Sequence, residues 1–335
     1  MKILLLFLLF LLFNAPVFSQ KETNVIGADG EIVFTFATDT PDPVMRQIPR
    51  EIILRRQSAP ATFVTLLAAY INEKASCDYD RVKKVHDWVA LNIRYDTASY
   101  FSGRYSSQAA DAVIKRGSAV CAGYADVFKM ICDALEIESV VVSGFARGFG
   151  RRLYEVENTS NTNHAWNIVT IDGKSFLIDT TWDAGHVNGQ TFRARYKTEY
   201  LFADPAVFIY DHFPMYKAHQ LLDPPLSADE FTNLPFLKPL FFMAVKTWPD
   251  IGRITEIKDG EEPKLEFTLY DGYDIGFQWH IPGGGTGNST IYPGRRAVYT
   301  AYIPKRTGRM SLRIYIKKPG DQTYWSCGEF GFDVK

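Results

Sequence analysis

Apolar residues recur at helical spacing in several stretches of the chain's first half. Pro60 to Asn72 and Tyr79 to Ile93 predict two amphipathic helices, the second carrying Val82, Val85, Trp88, Val89 and Ile93 on one face. Ala122 to Leu135 repeats the pattern with Val127, Phe128, Ile131, Ala134 and Leu135. Gln108 to Lys115 predicts a shorter helix closed by Gly117. Ser139 to Gly144 is a short β-rich run. His164 to Ile171 and Lys174 to Trp182 then flank Asp172-Gly173, a strong hairpin signal. With those two residues as the loop, Trp166 lies opposite Asp179 and His164 opposite Thr181, so all four project from one face.

Beyond Asp183 the chain is loop-rich, and Pro224-Pro225, Pro235 and Pro239 mark a boundary. From Phe241 to Lys335 the pattern changes. Runs at 253–257, 264–270, 275–281, 296–303, 309–317 and 323–334 alternate with Gly, Pro and Asp turns, which predicts an all-β sandwich. The expected organisation is α+β: residues 60–239 pack helices on an antiparallel sheet, and 240–335 form the sandwich. Residues 20–59 read as an N-terminal arm with one strand, Ile32 to Ala37, and a proline-bearing linker, Thr38 to Pro49.

Met1-Lys2, an apolar run from Ile3 to Phe13 and small residues near Ser19 make residues 1–19 a secretory signal peptide, cut after Ser19. The run is too short for a membrane span, so a secreted or periplasmic protein without an integral span is expected. A net charge of −1 gives no basic excess, which argues against nucleic-acid binding. Four cysteines, Cys77, Cys121, Cys132 and Cys327, are too few for a disulfide scaffold. Cys132 falls on the face of Cys121 further down the same helix and reads as an inert core thiol; a Cys77–Cys327 bridge stays open. His86 reads as a surface or core histidine. His186, His212, His219 and His280 have no ligand-like companions at helical or hairpin spacing, and no HExxH or CxxC occurs, so neither a metal nor a cofactor is expected. Gly283-Gly284-Gly285 has no following Lys-Ser/Thr or helix and reads as a hairpin loop.

The chemistry concentrates between Gly117 and Asp183. Cys121 stands where small residues give way to a helix, so unpaired N–H groups and a partial positive charge favour its thiolate. Its own N–H can donate to an oxyanion. His164 is the candidate base that takes the thiol proton, and Asp179 the group that holds the imidazolium. The loop Arg147 to Asn163 leads straight into His164 and should border the cleft.

The order Cys, His, Asp, with C-A-G-Y-A entering a helix, N-H-A-W-N entering a strand and L-I-D-T-T-W closing the hairpin, resembles the transglutaminase-like cysteine-peptidase superfamily. Tyr200-Leu-Phe-Ala-Asp-Pro-Ala-Val-Phe-Ile, His212-Phe-Pro and Pro225-Leu-Ser-Ala-Asp-Glu-Phe are similar more narrowly to its kyphoscoliosis-peptidase branch. The resemblance covers about Pro60 to Pro239. It implies a papain- or transglutaminase-like core, a Cys121–His164–Asp179 triad, and a second oxyanion donor from an upstream Trp or Gln, for which Trp88 and Gln108 are the candidates. It also implies a thiol enzyme acting on protein or peptide amide bonds, tilted towards hydrolysis over cross-linking. The rival expectation is a catalytically silent module that keeps the fold and binds a protein or cell-wall partner. Oligomeric state stays open.

Overall fold

A computed structural model of the chain describes residues 22–258, 261, 264–281, 285–292, 298–304 and 307–335, with the backbone alone at 285–288. The expected signal segment and the Gly283-Gly284 positions lie outside the described residues.

The first layer is helical. Pro60–Lys74, Asp78–Asn92 and Cys121–Ala134 form close to where their apolar spacing places them. Their buried faces meet in one core, where Phe63, Leu67, Ile71, Val85, Trp88 and Val89 pack with Val127, Phe128 and Ile131. Each such side chain contributes about 1.5–3 kcal/mol on burial. Cys132 lies in this core, and burial pushes its thiol pKa up, which keeps it inert.

The second layer is a five-stranded antiparallel sheet in the spatial order Leu201–Ala203, Lys174–Ile178, His164–Ile171, Glu138–Ala146, His212–Pro214. The expected hairpin register holds from Ile171↔Lys174 to Asn167↔Ile178. There the second strand ends. The Asp179 N–H donates to Tyr200 O at 2.9 Å, and Asp179 becomes the N-cap of a short helix, Thr180–Ala184. The expected Trp166–Asp179 and His164–Thr181 cross-strand pairs therefore do not form. The physical reason is local: the Asp179 carboxylate accepts from the Thr181 and Trp182 N–H groups, the side-chain capping that competes with a ladder.

The arm holds more structure than expected. Glu22–Ile26 pairs with Ile32–Ala37, and a helix follows at Arg50–Ser58. Arg56 ties that helix down by donating to Ile114 O at 2.8 Å and Asn92 O at 2.9 Å.

The C-terminal region is strand-rich. A six-stranded sheet includes Asp274–Ile281, Gly308–Lys317 and Trp325–Val334, and a three-stranded sheet holds Val245–Thr247, Lys264–Leu269 and Tyr299–Tyr302. Phe267, Phe277, Leu312, Ile314 and Phe330 share one buried core. The strand Gly285–Tyr292 was not expected, and Phe236–Leu237 already pairs with this sheet. All four cysteines are free, so no Cys77–Cys327 bridge forms. No helix among the described residues is long and apolar enough to cross a membrane.

Candidate active site

Cys121 is the first residue of its helix, with Val120 as N-cap and no side-chain cap. The turn before it is braced by Gln108, whose Oε1 accepts from the Val120 N–H at 3.0 Å and whose Nε2 donates to Ser106 O at 2.8 Å. Gly123 lets the turn sit this close: a Cβ there would meet Ala119 Cβ at 2.7 Å and Gln108 Oε1 at 2.7 Å. Gln108 thus supports the backbone ahead of Cys121. Trp88 lies fully buried in the helical core against Phe63, ring centroids 5.2 Å apart.

His164 opens its strand opposite Gly144. Its Nε2 lies 2.7 Å from Asp179 Oδ2, with both side chains buried. The Asp179 carboxylate divides its oxygens: Oδ1 caps the short helix, and Oδ2 faces imidazole. Burial alone would lower the His164 pKa, but the charges of Asp179 and Cys121 and their hydrogen bonds overcome it and raise the pKa to about 10. Burial opposes the Asp179 charge, and His164 overrides it with help from His212, holding the carboxyl well below the usual carboxylate range.

The Cys121 thiol is partly exposed, and its pKa is lowered from the ordinary thiol value. Burial would raise its pKa; the charge and hydrogen bond of His164, with the Ala165 N–H, lower it instead. His164 Nε2 is engaged by Asp179, which leaves Nδ1 free of that carboxylate. Such an arrangement can hold a thiolate–imidazolium pair and shuttle one proton.

A second histidine joins the cluster. His212, on the far side of the Glu138–Ala146 strand, brings Nε2 to 3.2 Å from Asp179 Oδ2 and Nδ1 to 2.6 Å from Asp211 Oδ1. His212 has companions after all, across 33 residues and at its direct neighbour, where neither helical nor hairpin spacing reveals them. Its signal in the sequence was the acid–histidine dipeptide Asp211-His212 inside a short apolar run. Ligand atoms of His164, Asp179 and His212 lie within 4.8 Å of one another, a donor set of the kind divalent metals take. Here the three groups face each other through hydrogen bonds, and a metal would have to displace those bonds.

An aromatic rim runs outward from the thiol. Tyr95 feels the Cys121 charge and contacts Tyr100, which contacts Phe101, which meets Phe149 at 5.7 Å. Phe101 and Phe149 are 41% and 48% exposed. The start of the Arg147 to Asn163 loop therefore borders the site. Its middle docks on the C-terminal sheet instead: Tyr154 OH pairs with Phe332 O at 3.0 Å, and Arg253 donates to Leu153 O at 2.7 Å.

Residues 65–179 match the model of the transglutaminase-like superfamily, and a strand-rich region follows them. Among individual proteins the chain is similar to the kyphoscoliosis peptidase of Mus musculus, 31% identical over 208 residues that make up 59% of this chain and 31% of that one. The kyphoscoliosis peptidase of Homo sapiens is 32% identical over 178 residues, 52% of this chain and 27% of that one. A solved TGase structure is 21% identical and covers 45% of this chain and 38% of that one at a TM-score of 0.28. The chain spans about a third of the length of the curated relatives it matches.

Proposed function

We propose that the chain is an exported thiol enzyme that cleaves peptide amide bonds through an acyl-enzyme on Cys121, with His164 as base and acid and Asp179 as the group that orients it. The observation that carries this reading is the imidazole of His164, fixed by Asp179 at 2.7 Å on one side and lowering the Cys121 pKa on the other. The Cys121 thiolate attacks the carbonyl carbon. The oxyanion forms beside the helix N-terminus, His164 gives its proton to the leaving amine, and a thioester remains. His164 then takes a proton from water, the hydroxide attacks the thioester, and the carboxylic acid leaves as Cys121 is regenerated. The exposed rings of Phe101 and Phe149 offer apolar side chains of the substrate a surface next to this chemistry.

The test is a glutamine-containing peptide mixture incubated with a labelled primary amine. Expected are new peptide termini that are absent with Cys121→Ala, without ammonia release or label incorporation. Label incorporation would replace hydrolysis by acyl transfer. Neither product would leave a binding module as the reading. Export is tested separately by N-terminal sequencing of the protein from the medium or periplasm, where Gln20 is the expected first residue.

A further inference from the structure

The chemistry proposed above develops negative charge on the carbonyl oxygen, and one donor for it is in place: the Cys121 N–H, at the first position of its helix, has no intrahelical acceptor. Neither side chain expected as the second donor is available. Trp88 is fully buried in the helical core. Gln108 is committed at both ends of its amide, Oε1 to the Val120 N–H and Nε2 to Ser106 O. Tyr95 is placed differently. The two-residue strand Arg94–Tyr95 runs parallel to Ser118–Ala119 and pairs Tyr95 with Ala119, two residues ahead of the nucleophile. The Arg94 N–H donates to Gly117 O at 3.0 Å and the Asp96 N–H to Ala119 O at 2.8 Å, which ties this strand to the turn that presents Cys121. Three rings hold the phenol ring: Tyr100 at 5.8 Å, Phe192 at 6.3 Å and Tyr124, from the first turn of the Cys121 helix, at 6.5 Å. The Tyr124 hydroxyl is taken, donating to Ile93 O at 2.6 Å. Tyr95 is only half-buried, and its hydroxyl has no hydrogen-bond partner among the described residues.

We propose that Tyr95 is a catalytic residue of this site, its hydroxyl serving with the Cys121 N–H as the second donor to the oxyanion. The proposal rests on the acyl-enzyme reading. As the bond from Cys121 Sγ to the carbonyl carbon forms, the carbonyl π pair moves onto oxygen, where the two donors meet it. When the intermediate collapses the pair returns, the C–N bond breaks, and the amine leaves with the proton from His164. Tyr95 gives a hydrogen bond throughout and transfers no proton. Its surroundings suit that role: burial, and then the Cys121 charge as the strongest of the charges acting on it, raise the phenol pKa, so the hydroxyl stays protonated as a donor.

Two reactions of the same sulfur separate this role from a structural one. Acetylation by p-nitrophenyl acetate passes through an oxyanion, whereas alkylation by iodoacetamide displaces iodide at a saturated carbon and forms none. Both rates are followed at Cys121 by mass spectrometry of the full-length chain in wild type, Tyr95→Phe, Trp88→Phe and His164→Ala. In Tyr95→Phe acetylation is expected to fall about 10²-fold, the cost of one oxyanion donor. Its alkylation rate and melting temperature should stay at wild type, because the hydroxyl leaves no partner behind. Trp88→Phe should keep the wild-type ratio of the two rates. Unchanged acetylation in Tyr95→Phe would overturn the proposal, and so would a parallel fall of both rates, which marks a residue that only shapes the surroundings of the thiol. A selective fall of acetylation in Trp88→Phe would give the role to Trp88 instead. If His164→Ala alkylates like wild type, the acyl-enzyme reading itself fails and the proposal falls with it.

Discussion

Asp179 does two jobs with two oxygens, and the jobs can be separated. Asn caps a helix as well as Asp does, so Asp179→Asn should keep the Thr180–Ala184 cap and lose only the stability of the charge pair with His164, while turnover on peptides falls by roughly 10²–10⁴-fold. Asp179→Ala should lose the same activity and also about 1 kcal/mol of stability from the cap. Equal stabilities of the two variants would contradict the division. The same pair predicts a pH dependence. The raised His164 pKa contributes stability that is full below about pH 6.5 and is lost as pH rises through about 10; the lowered Asp179 pKa contributes stability that is full above about pH 4 and is lost on acidification. The stability gap between wild type and His164→Asn should therefore be widest near pH 5–6 and shrink towards pH 10, as chemical denaturation at each pH would show. The helix start at Cys121 and the hairpin that carries His164 were legible in the sequence because a helix start and an Asp-Gly turn are local signals. How Asp179 reaches His164 was not, because capping and strand pairing compete for the same backbone, and the sequence does not say which wins.

Among the elements, the edge strand His212–Pro214 depends on a neighbour that lacks a side chain. A Cβ on Gly144 would lie 2.4 Å from Phe213 O, 2.5 Å from Trp166 Cη2 and 2.8 Å from Pro214 Cα. Two of those atoms are backbone and cannot swing away. Gly144→Ala should therefore part the strands and destabilise the fold by about 1–3 kcal/mol, the range of an overpacked core. An unaltered denaturation midpoint would show that the strand is not held against Gly144. Elements with strong periodicity were read correctly, but Arg50–Ser58 was not: its apolar residues are confined to Ile52, Ile53 and Leu54, without helical spacing, and only Ile52 is buried. The strand Gly285–Tyr292 was missed for a related reason, since Gly-Thr-Gly-Asn-Ser-Thr shows no apolar alternation.

At the scale of the molecule, one buried carboxylate joins the two regions. Glu157 accepts from Arg147 at 2.8 Å and from Arg253 at 3.1 Å, and its side chain is 2% exposed. Arg147 also donates to Tyr210 O, Leu234 O and Phe231 O, so the loop, the segment before the strand-rich region and that region meet at these guanidinium groups. Glu157→Ala would leave two buried cations uncompensated and should cost about 3–5 kcal/mol in urea unfolding followed by tryptophan fluorescence. A loss below about 1 kcal/mol would mean that solvent screens the cluster. Lys318 adds a second tie, pairing with Asp39 at 2.7 Å and Glu199 at 3.4 Å. The fold class was readable from pattern, and these ties were not, because they join residues up to 279 positions apart whose only shared property is opposite charge.

The central claim, an activated thiol at Cys121, is tested most directly by its alkylation rate as a function of pH in wild type and His164→Ala. The account predicts fast labelling that persists well below the free-thiol pKa of about 8.5 and is lost in the variant. Labelling that follows an ordinary thiol, and is equal in both proteins, would contradict it.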